Sequence, residues 1–448
     1  MQVIAIVLPM IIQNSITNIM SLVDNVMIGL VGTLQMSAVA IVNQLILVFN
    51  LCVFGSLAGI GILSTQYVGA KDNDGVRYCF RAKIIISVLM VALAYVVFLL
   101  LPKPLISMYI AEGTATSDAV ETLGYAISYL KIMLVGLLPF TAAQIYSCSL
   151  REIREVKLPM VASIISILIN IVLNYFLIFG KFGFPCLGVR GAAIATVISR
   201  FVEAAIIIIS TRLKRHKYPF IIGVFRSIYI PFSLCKNIIT KGMPLIVNEF
   251  LCSAGMALIL QCYSVRGLQV VAAVNISNTV SNLFNIVFIS VGSAIAIIVG
   301  QCLGANDIER AKSTVRQLLS LAIVVCLIMG SIMALLAPII TSVYNTEIEV
   351  RRMATKLLYI VAFFMPITSF ALNCYFTIRS GGRTFITILF DGVFIFGVAM
   401  PVAFILSKYT SMPILQLFFA VQSLDFLKCI IGFILVKRGI WIRNIINK

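Results

Sequence analysis

PMIIQNSITNIMSLVDNVMIGLVG, residues Pro9–Gly32, and PLIVNEFLCSAGMALILQCYSVRG, residues Pro244–Gly267, decide how this chain folds. Each is an apolar run of about 20 residues, the length a helix needs to cross the hydrocarbon core of a bilayer. Each also opens on a proline. The same spacing of 235 positions continues without a gap through the next apolar run: Ala38–Val39 falls on Ala273–Val274, Asn43 on Asn278, and Phe49–Asn50 on Phe284–Asn285. Gln66, Gly69, Ala70 and Asp72 then fall on Gln301, Gly304, Ala305 and Asp307, a shared Q-x-x-G-A-x-D. So many matches at one spacing mark an internal repeat, and the repeat is the unit from which the fold must be built.

The composition places that repeat in a membrane. Of 448 residues 61% are hydrophobic and 11% charged, against about 25% charged in a soluble domain. Apolar runs read as twelve spans, near 3–28, 36–66, 84–101, 123–149, 158–179, 191–210, 238–264, 270–302, 317–340, 357–378, 384–406 and 412–436. The net charge of +18 sits on loops between spans and not on one soluble face, so no nucleic-acid partner is expected. With a cytoplasmic N-terminus, 23 of the 34 Lys and Arg fall on the cytoplasmic side. The positive-inside rule therefore puts both termini in the cytoplasm of a cell that carries this protein in its plasma membrane. The first span lacks a basic leader and a cleavage signal and reads as a retained helix.

Six spans return the chain to its starting side, so the two halves have parallel topology. The fold expected is all-α and integral to the membrane: twelve transmembrane helices as two six-helix bundles related by a pseudo-twofold axis along the membrane normal, with a substrate site where the halves face each other. Residues 1–210 form the N-terminal bundle, 211–237 a cytoplasmic basic linker, and 238–448 the C-terminal bundle with a short cytoplasmic tail. His216, in the basic run of the linker, reads as a solvated loop residue. The eleven cysteines include no CxxC pair and read as small buried hydrophobes.

Charges inside spans cost roughly 2.5–3.5 kcal/mol each on insertion scales and so mark candidate sites. Asp24 stands alone in the first span; at the repeat position the second half has Ile259, so the shared architecture does not need the acid. Glu249 is the corresponding lone acid of the seventh span, nearer its middle. In the fifth span Asn170 and Asn174 are four apart and lie on one helical face, and Thr196 contributes a hydroxyl from the sixth. One carboxylate, two amide oxygens and a hydroxyl suit a hard cation; the same amides could equally join helices by hydrogen bonds. Asp425 with Lys428, and Arg200 with Glu203, are three apart and read as neutralising pairs. Asp391 lies early in its span, and Lys131 can snorkel.

On these residues the chain resembles the multidrug and toxic compound extrusion (MATE) family of cation-coupled exporters. The likeness runs through LPMIIQN and DNVMIG in the first span, QYVGAKD after the second, Asn170 to Thr196 across the fifth and sixth, MPLIVNE in the seventh, IRSGGRT after the tenth and KRGIWIRN at the C-terminus. The resemblance implies two bundles opening alternately to either side of the membrane and exporting organic cations and other drug-like amphiphiles in exchange for H⁺ or Na⁺. It matches Asp24 to the acid that binds the coupling ion, Asn170 and Thr196 to polar members of its site, and Pro9 to the proline at which the first helix bends. Asn174 stands where many relatives have a second carboxylate, which tilts the expectation towards H⁺. The tenth span has no acid where the Na⁺-coupled branch has one, and Glu249 matches that branch's seventh-helix glutamate only loosely, as a C-lobe carboxylate on the substrate pathway.

The expectation is thus a monomeric secondary transporter with no cofactor beyond its coupling ion, working on small organic cations in contact with membrane lipid. If the ion were Na⁺, its ligands would be Asp24, Asn170, Asn174 and Thr196. The alternative is a flippase for lipid or lipid-linked sugar with the same two-bundle architecture; lone intramembrane acids favour cationic cargo over that anionic one. An enzyme would need clustered histidines or a nucleophile with its base, and the chain has one His. A receptor would ordinarily carry a sensing domain, and no loop is long enough.

Overall fold

A chain in hydrocarbon can satisfy its backbone only internally, and the apolar runs accordingly fold as helices. The computed structural model describes residues 4–109, 116–344 and 346–446, and among them there is no strand. The helices are α1 (Ile4–Gly29), α2 (Thr33–Gly69), α3 (Asn73–Leu100), α4 (Pro102–Ser107), α5 (Thr116–Val135), α6 (Leu137–Glu152), α7 (Lys157–Phe179) and α8 (Val189–Leu213), followed by α9 (Phe232–Ser264), α10 (Leu268–Gly304), α11 (Ile308–Ser342), α12 (Ile348–Ser380), α13 (Thr384–Ile388), α14 (Met400–Tyr409) and α15 (Ile414–Lys437). Among the described residues eleven spans, with α13 to α14 as one, are long and apolar enough to cross a membrane, and α5 with α6 makes a twelfth, bent by 46°. The bend has a local cause: Pro139 supplies no N–H for the carbonyl one turn back, and a Cβ on Gly136 would press on Val197 and on the carbonyl of Met133.

The repeat is visible in the backbone. α2 and α10 are both 37 residues long, about 55 Å at 1.5 Å per residue, and begin and end 235 positions apart. The Q-x-x-G-A-x-D turns that follow put Lys71 and Asn306 in the left-handed region with the same φ of 58°. Asp307 then caps α11 by accepting from the Arg310 N–H.

The chain divides into two compact units, one of Met1–Ser64 with Asn73–Cys235, the other of Thr65–Asp72 with Lys236–Lys448. In the first, α7 and α8 form a tight hairpin. Gly180 closes α7 at φ +64, Leu187 donates back to the Leu177 carbonyl at 2.9 Å, and Gly191 approaches that carbonyl so closely that any Cβ would overlap it. α1 packs along α7. The segment after α8, which includes the exposed His216, lies on α3, where the buried Arg81 donates to the carbonyls of Val224, Gly223 and Tyr229. Lys83 on α3 is fully buried against Glu152 at 2.6 Å and Ser149 at 2.9 Å.

In the second unit, Leu357 and Leu358 on α12 sit in apolar cores shared with α10, α11 and α15. Gln66 is held by the C-terminal tail: it donates to the carbonyls of Ser380 and Arg443 and accepts from the Ile445 N–H at 2.8 Å. The eleven cysteines are all free thiols.

Candidate cation sites in the two units

Asp24 lies on α1, five residues before its end, half-buried. Facing it from α7 is Asn174, whose amide donates to Asp24 Oδ1 at 2.6 Å and to Asn170 Oδ1 at 3.1 Å. Asn170 donates onward to Thr196 Oγ1 on α8 at 3.4 Å, and that hydroxyl donates to the Ala192 carbonyl at 3.0 Å. The spacing of Asn170 and Asn174 therefore does what a four-residue step on a helix must do, stacking two amides one above the other. The close α7–α8 hairpin brings Thr196 to the end of the row. Both amides are fully buried, and Asn174 Oδ1 has no protein partner. That oxygen sits on the side chain that bridges carboxylate and amide. Pro9 is buried on α1, which runs through it as one helix from Ile4 to Gly29.

A second polar row continues along the same helices. Ser163 on α7 accepts from Gln13 at 2.8 Å and donates to Glu203 on α8 at 2.6 Å, while Arg151 donates to Gln13 Oε1 at 3.0 Å. Arg200 and Glu203 do not pair as their spacing suggests. Glu203 takes the Ser163 hydroxyl, and the Arg200 guanidinium lies 4.9 Å from the Phe140 ring centre with Nη1 buried and unpartnered. The reason is tertiary: α7 packs on α8 and offers Ser163 directly to the carboxylate.

In the second unit the pairing also crosses helices. Lys428 on α15 bonds to Asp391 Oδ1 at 2.5 Å instead of to Asp425, and Cys252 on α9 donates to Asp391 Oδ2 at 3.2 Å. Asp425 accepts from Thr368 instead, also at 2.5 Å. Asp391 lies in a π-helical turn, Leu389–Val393, whose extra residue per turn re-aims side chains. Glu249, half-buried on α9, has Arg379 and Asp391 as its nearby charges. Among the described residues no cluster of three or more His, Cys, Asp or Glu is arranged to hold a metal.

The MatE family model matches residues 9–176 and 244–405, one stretch in each half of the repeat. The chain belongs to the MATE family. This MATE transporter is 26% identical over 420 residues to "Probable multidrug resistance protein NorM" of Thermotoga maritima, covering 92% of this chain and 87% of the relative. It is 27% identical over 415 residues to "Probable multidrug resistance protein YoeA" of Bacillus subtilis, covering 91% and 87%. A crystal structure of MATE in complex with MaL6 has the same fold, with a TM-score of 0.87 over 98% of this chain and 96% of the other at 18% identity. The fold is shared too by a MOP superfamily transporter from Pyrococcus furiosus, described as having a binding pocket of reverse polarity, with a TM-score of 0.86 over 98% and 95% at 19% identity. A multi-span membrane transporter of this family is not an enzyme.

The sequence reading brought Asp24, Asn170, Asn174 and Thr196 to attention, and the four form one hydrogen-bonded row. It missed Gln13, Ser163 and Arg151. The signal for Ser163 was there: with Ser166, Asn170 and Asn174 it makes a polar stripe at spacings of three and four on an otherwise apolar α7. No spacing pointed to the Lys428–Asp391 pair, because its members are 37 positions apart on different helices.

Proposed function

We propose that this MATE-family chain is a secondary active exporter of organic cations and drug-like amphiphiles, driven by inward flow of H⁺ and working by alternating access in the plasma membrane. The observation that carries the reading is the row Asp24–Asn174–Asn170–Thr196. An ionised Asp24 only accepts, and Asn174 gives it an N–H. Once protonated, Asp24 gains an O–H to donate, and the unpartnered Asn174 Oδ1 is the acceptor that a rotation of the amide presents to it. Uptake of one proton thus reverses the hydrogen bond between α1 and α7. Such a reversal couples ion to cargo only if the lobe conformations that bind cargo well and poorly favour different protonation states, and the proposal is that they do, with protonation favouring release outward. Four oxygens with one negative charge would also take Na⁺; the lone carboxylate is what favours the proton.

The names of the relatives support small-molecule efflux, and the lone acids Asp24 and Glu249 support cationic cargo. The test is transport in proteoliposomes under imposed H⁺ and Na⁺ gradients, against a panel of organic cations and one lipid-linked sugar. Export of organic cations driven by the pH gradient in wild type and lost in Asp24→Asn is expected. Full gradient-driven activity in Asp24→Asn would sink the coupling role, and movement of the lipid-linked sugar alone would make the chain a flippase.

A further inference from the structure

In the second unit a lysine ammonium is enclosed by a carboxylate and two aromatic rings. The Lys428 ammonium bonds to Asp391 and lies 5.7 Å from the ring centre of Phe390 and 5.6 Å from that of Phe394. Aromatic rings whose centres lie within about 6 Å of a cation are the arrangement that recognises organic ammonium groups, and here a carboxylate completes it. The cage is built on purpose-shaped backbone. Phe390, Asp391 and Phe394 lie on and beside the π-helical turn Leu389–Val393. Gly392 within it donates its N–H to Asn248 Oδ1 at 3.0 Å, which ties the turn to α9. Turns of this kind are frequent at functional sites. Cys252 holds the other carboxylate oxygen.

The occupant also has somewhere else to go. Asp425 lies one turn before Lys428 on α15, three residues away and so on the same face, and takes only the Thr368 hydroxyl. Glu249 on α9, whose nearby charges are Asp391 and Arg379 on α12, is the other acid beside the pair. Neither Lys428 nor Asp391 is sealed in: their side chains are 14% and 20% exposed. Lys428 lies beyond the stretch that the family model matches.

We infer that Lys428 is a tethered placeholder in an organic-cation site formed by Asp391, Phe390 and Phe394, and that a cargo ammonium or phosphonium enters by displacing it towards Asp425. This deepens the exporter reading, on which it rests for the class of cargo. In the empty site the lysine neutralises Asp391, so no desolvated carboxylate waits unpaired. In the filled site the cargo takes Asp391 and the rings, and Lys428 takes Asp425. The lysine therefore sets affinity by competition, and a small inorganic cation, which gains little from the rings, is excluded by it.

The experiment is equilibrium binding of tetraphenylphosphonium to the purified full chain by calorimetry, with no gradient present. Lys428→Met should bind about tenfold tighter than wild type, the order of one lost competing charge. Asp391→Asn should abolish that gain when combined with Lys428→Met, and Asp425→Asn alone should weaken binding several-fold, because the displaced ammonium loses its landing place. Binding by Lys428→Met no tighter than wild type, or a gain that survives Asp391→Asn, overturns the inference. If Lys428→Met does not fold, Lys428→Arg serves: its guanidinium can hold Asp391 through two bonds and should weaken binding, and unchanged affinity overturns the inference equally. The exporter reading fails separately, through movement of the lipid-linked sugar alone in proteoliposomes, a readout this assay does not use.

Discussion

Asn174 donates to Asp24 at 2.6 Å and to Asn170 at 3.1 Å, so one amide ties α1 to α7 with one hydrogen and holds its own helix's Asn170 with the other. Replacing it with leucine removes the charge-assisted bond, worth about 1.5–3 kcal/mol, while keeping the branched shape of the side chain. Asn174→Leu should therefore reach the membrane in normal amounts but lose gradient-driven export by about tenfold or more. Export at the wild-type rate would show that α1 and α7 communicate by another route. Efflux from cells matched for expression is the measurement.

Asn174→Asp makes the opposite change. It places a second carboxylate beside Asp24, and two acids at hydrogen-bond distance cannot both ionise without a cation between them. Oxygen-rich sites with more negative charge favour metal ions, so export by this variant should become stimulated by an inward Na⁺ gradient at fixed pH. Vesicles with equal pH on both sides and Na⁺ outside test it. A wild-type response to Na⁺ in the variant would mean that the charge of this row does not choose the ion.

With Asp24 as the one coupling carboxylate, the proposed exchange has a definite electrical character. One H⁺ exchanged for one monovalent organic cation moves no net charge, although one charge crossing 100 mV would be worth about 2.3 kcal/mol. Export of tetraphenylphosphonium should accordingly follow the pH gradient, about tenfold in cargo for each pH unit, and be indifferent to a potential clamped with potassium and valinomycin. A rate that rises with the imposed potential at constant pH would require a second charge per cycle.

How far the sequence led depends on whether a feature is local. The repeat was legible because its Q-x-x-G-A-x-D turns force the same backbone in both halves, seen in the equal φ of Lys71 and Asn306. The Asp24 row was legible because a four-residue step stacks side chains whatever the tertiary fold, and only the partner helix had to be supplied by packing. The same rule misled for Lys428 and Arg200. Three-residue spacing made Asp425 and Glu203 their neighbours, but Asp391 and Phe140 on other helices reach them first. The bend at Gly136 has a local cause in Pro139, whereas the apolar run alone marks only one span, near 123–149. The π-helical turn around Asp391 has no such signature, and the bond that meets its Gly392 N–H comes from Asn248 on another helix.

The Lys83–Glu152 pair offers a last test, this time of stability. Lys83 has no exposed side-chain surface and Glu152 only 4%; the carboxylate also accepts from Cys148 at 3.2 Å and fits over Gly61, where a Cβ would crowd it. Deleting one partner leaves a buried charge uncompensated, at about 3–5 kcal/mol, whereas replacing both with apolar groups of similar size is often neutral. Lys83→Met and Glu152→Leu should each lower the thermal midpoint of the purified protein sharply, and the double variant should recover most of the loss. Thermal unfolding in detergent decides this by the recovery. If the double variant is as unstable as the two losses added together, the two side chains act independently, and the pair is not what joins α3 to α6.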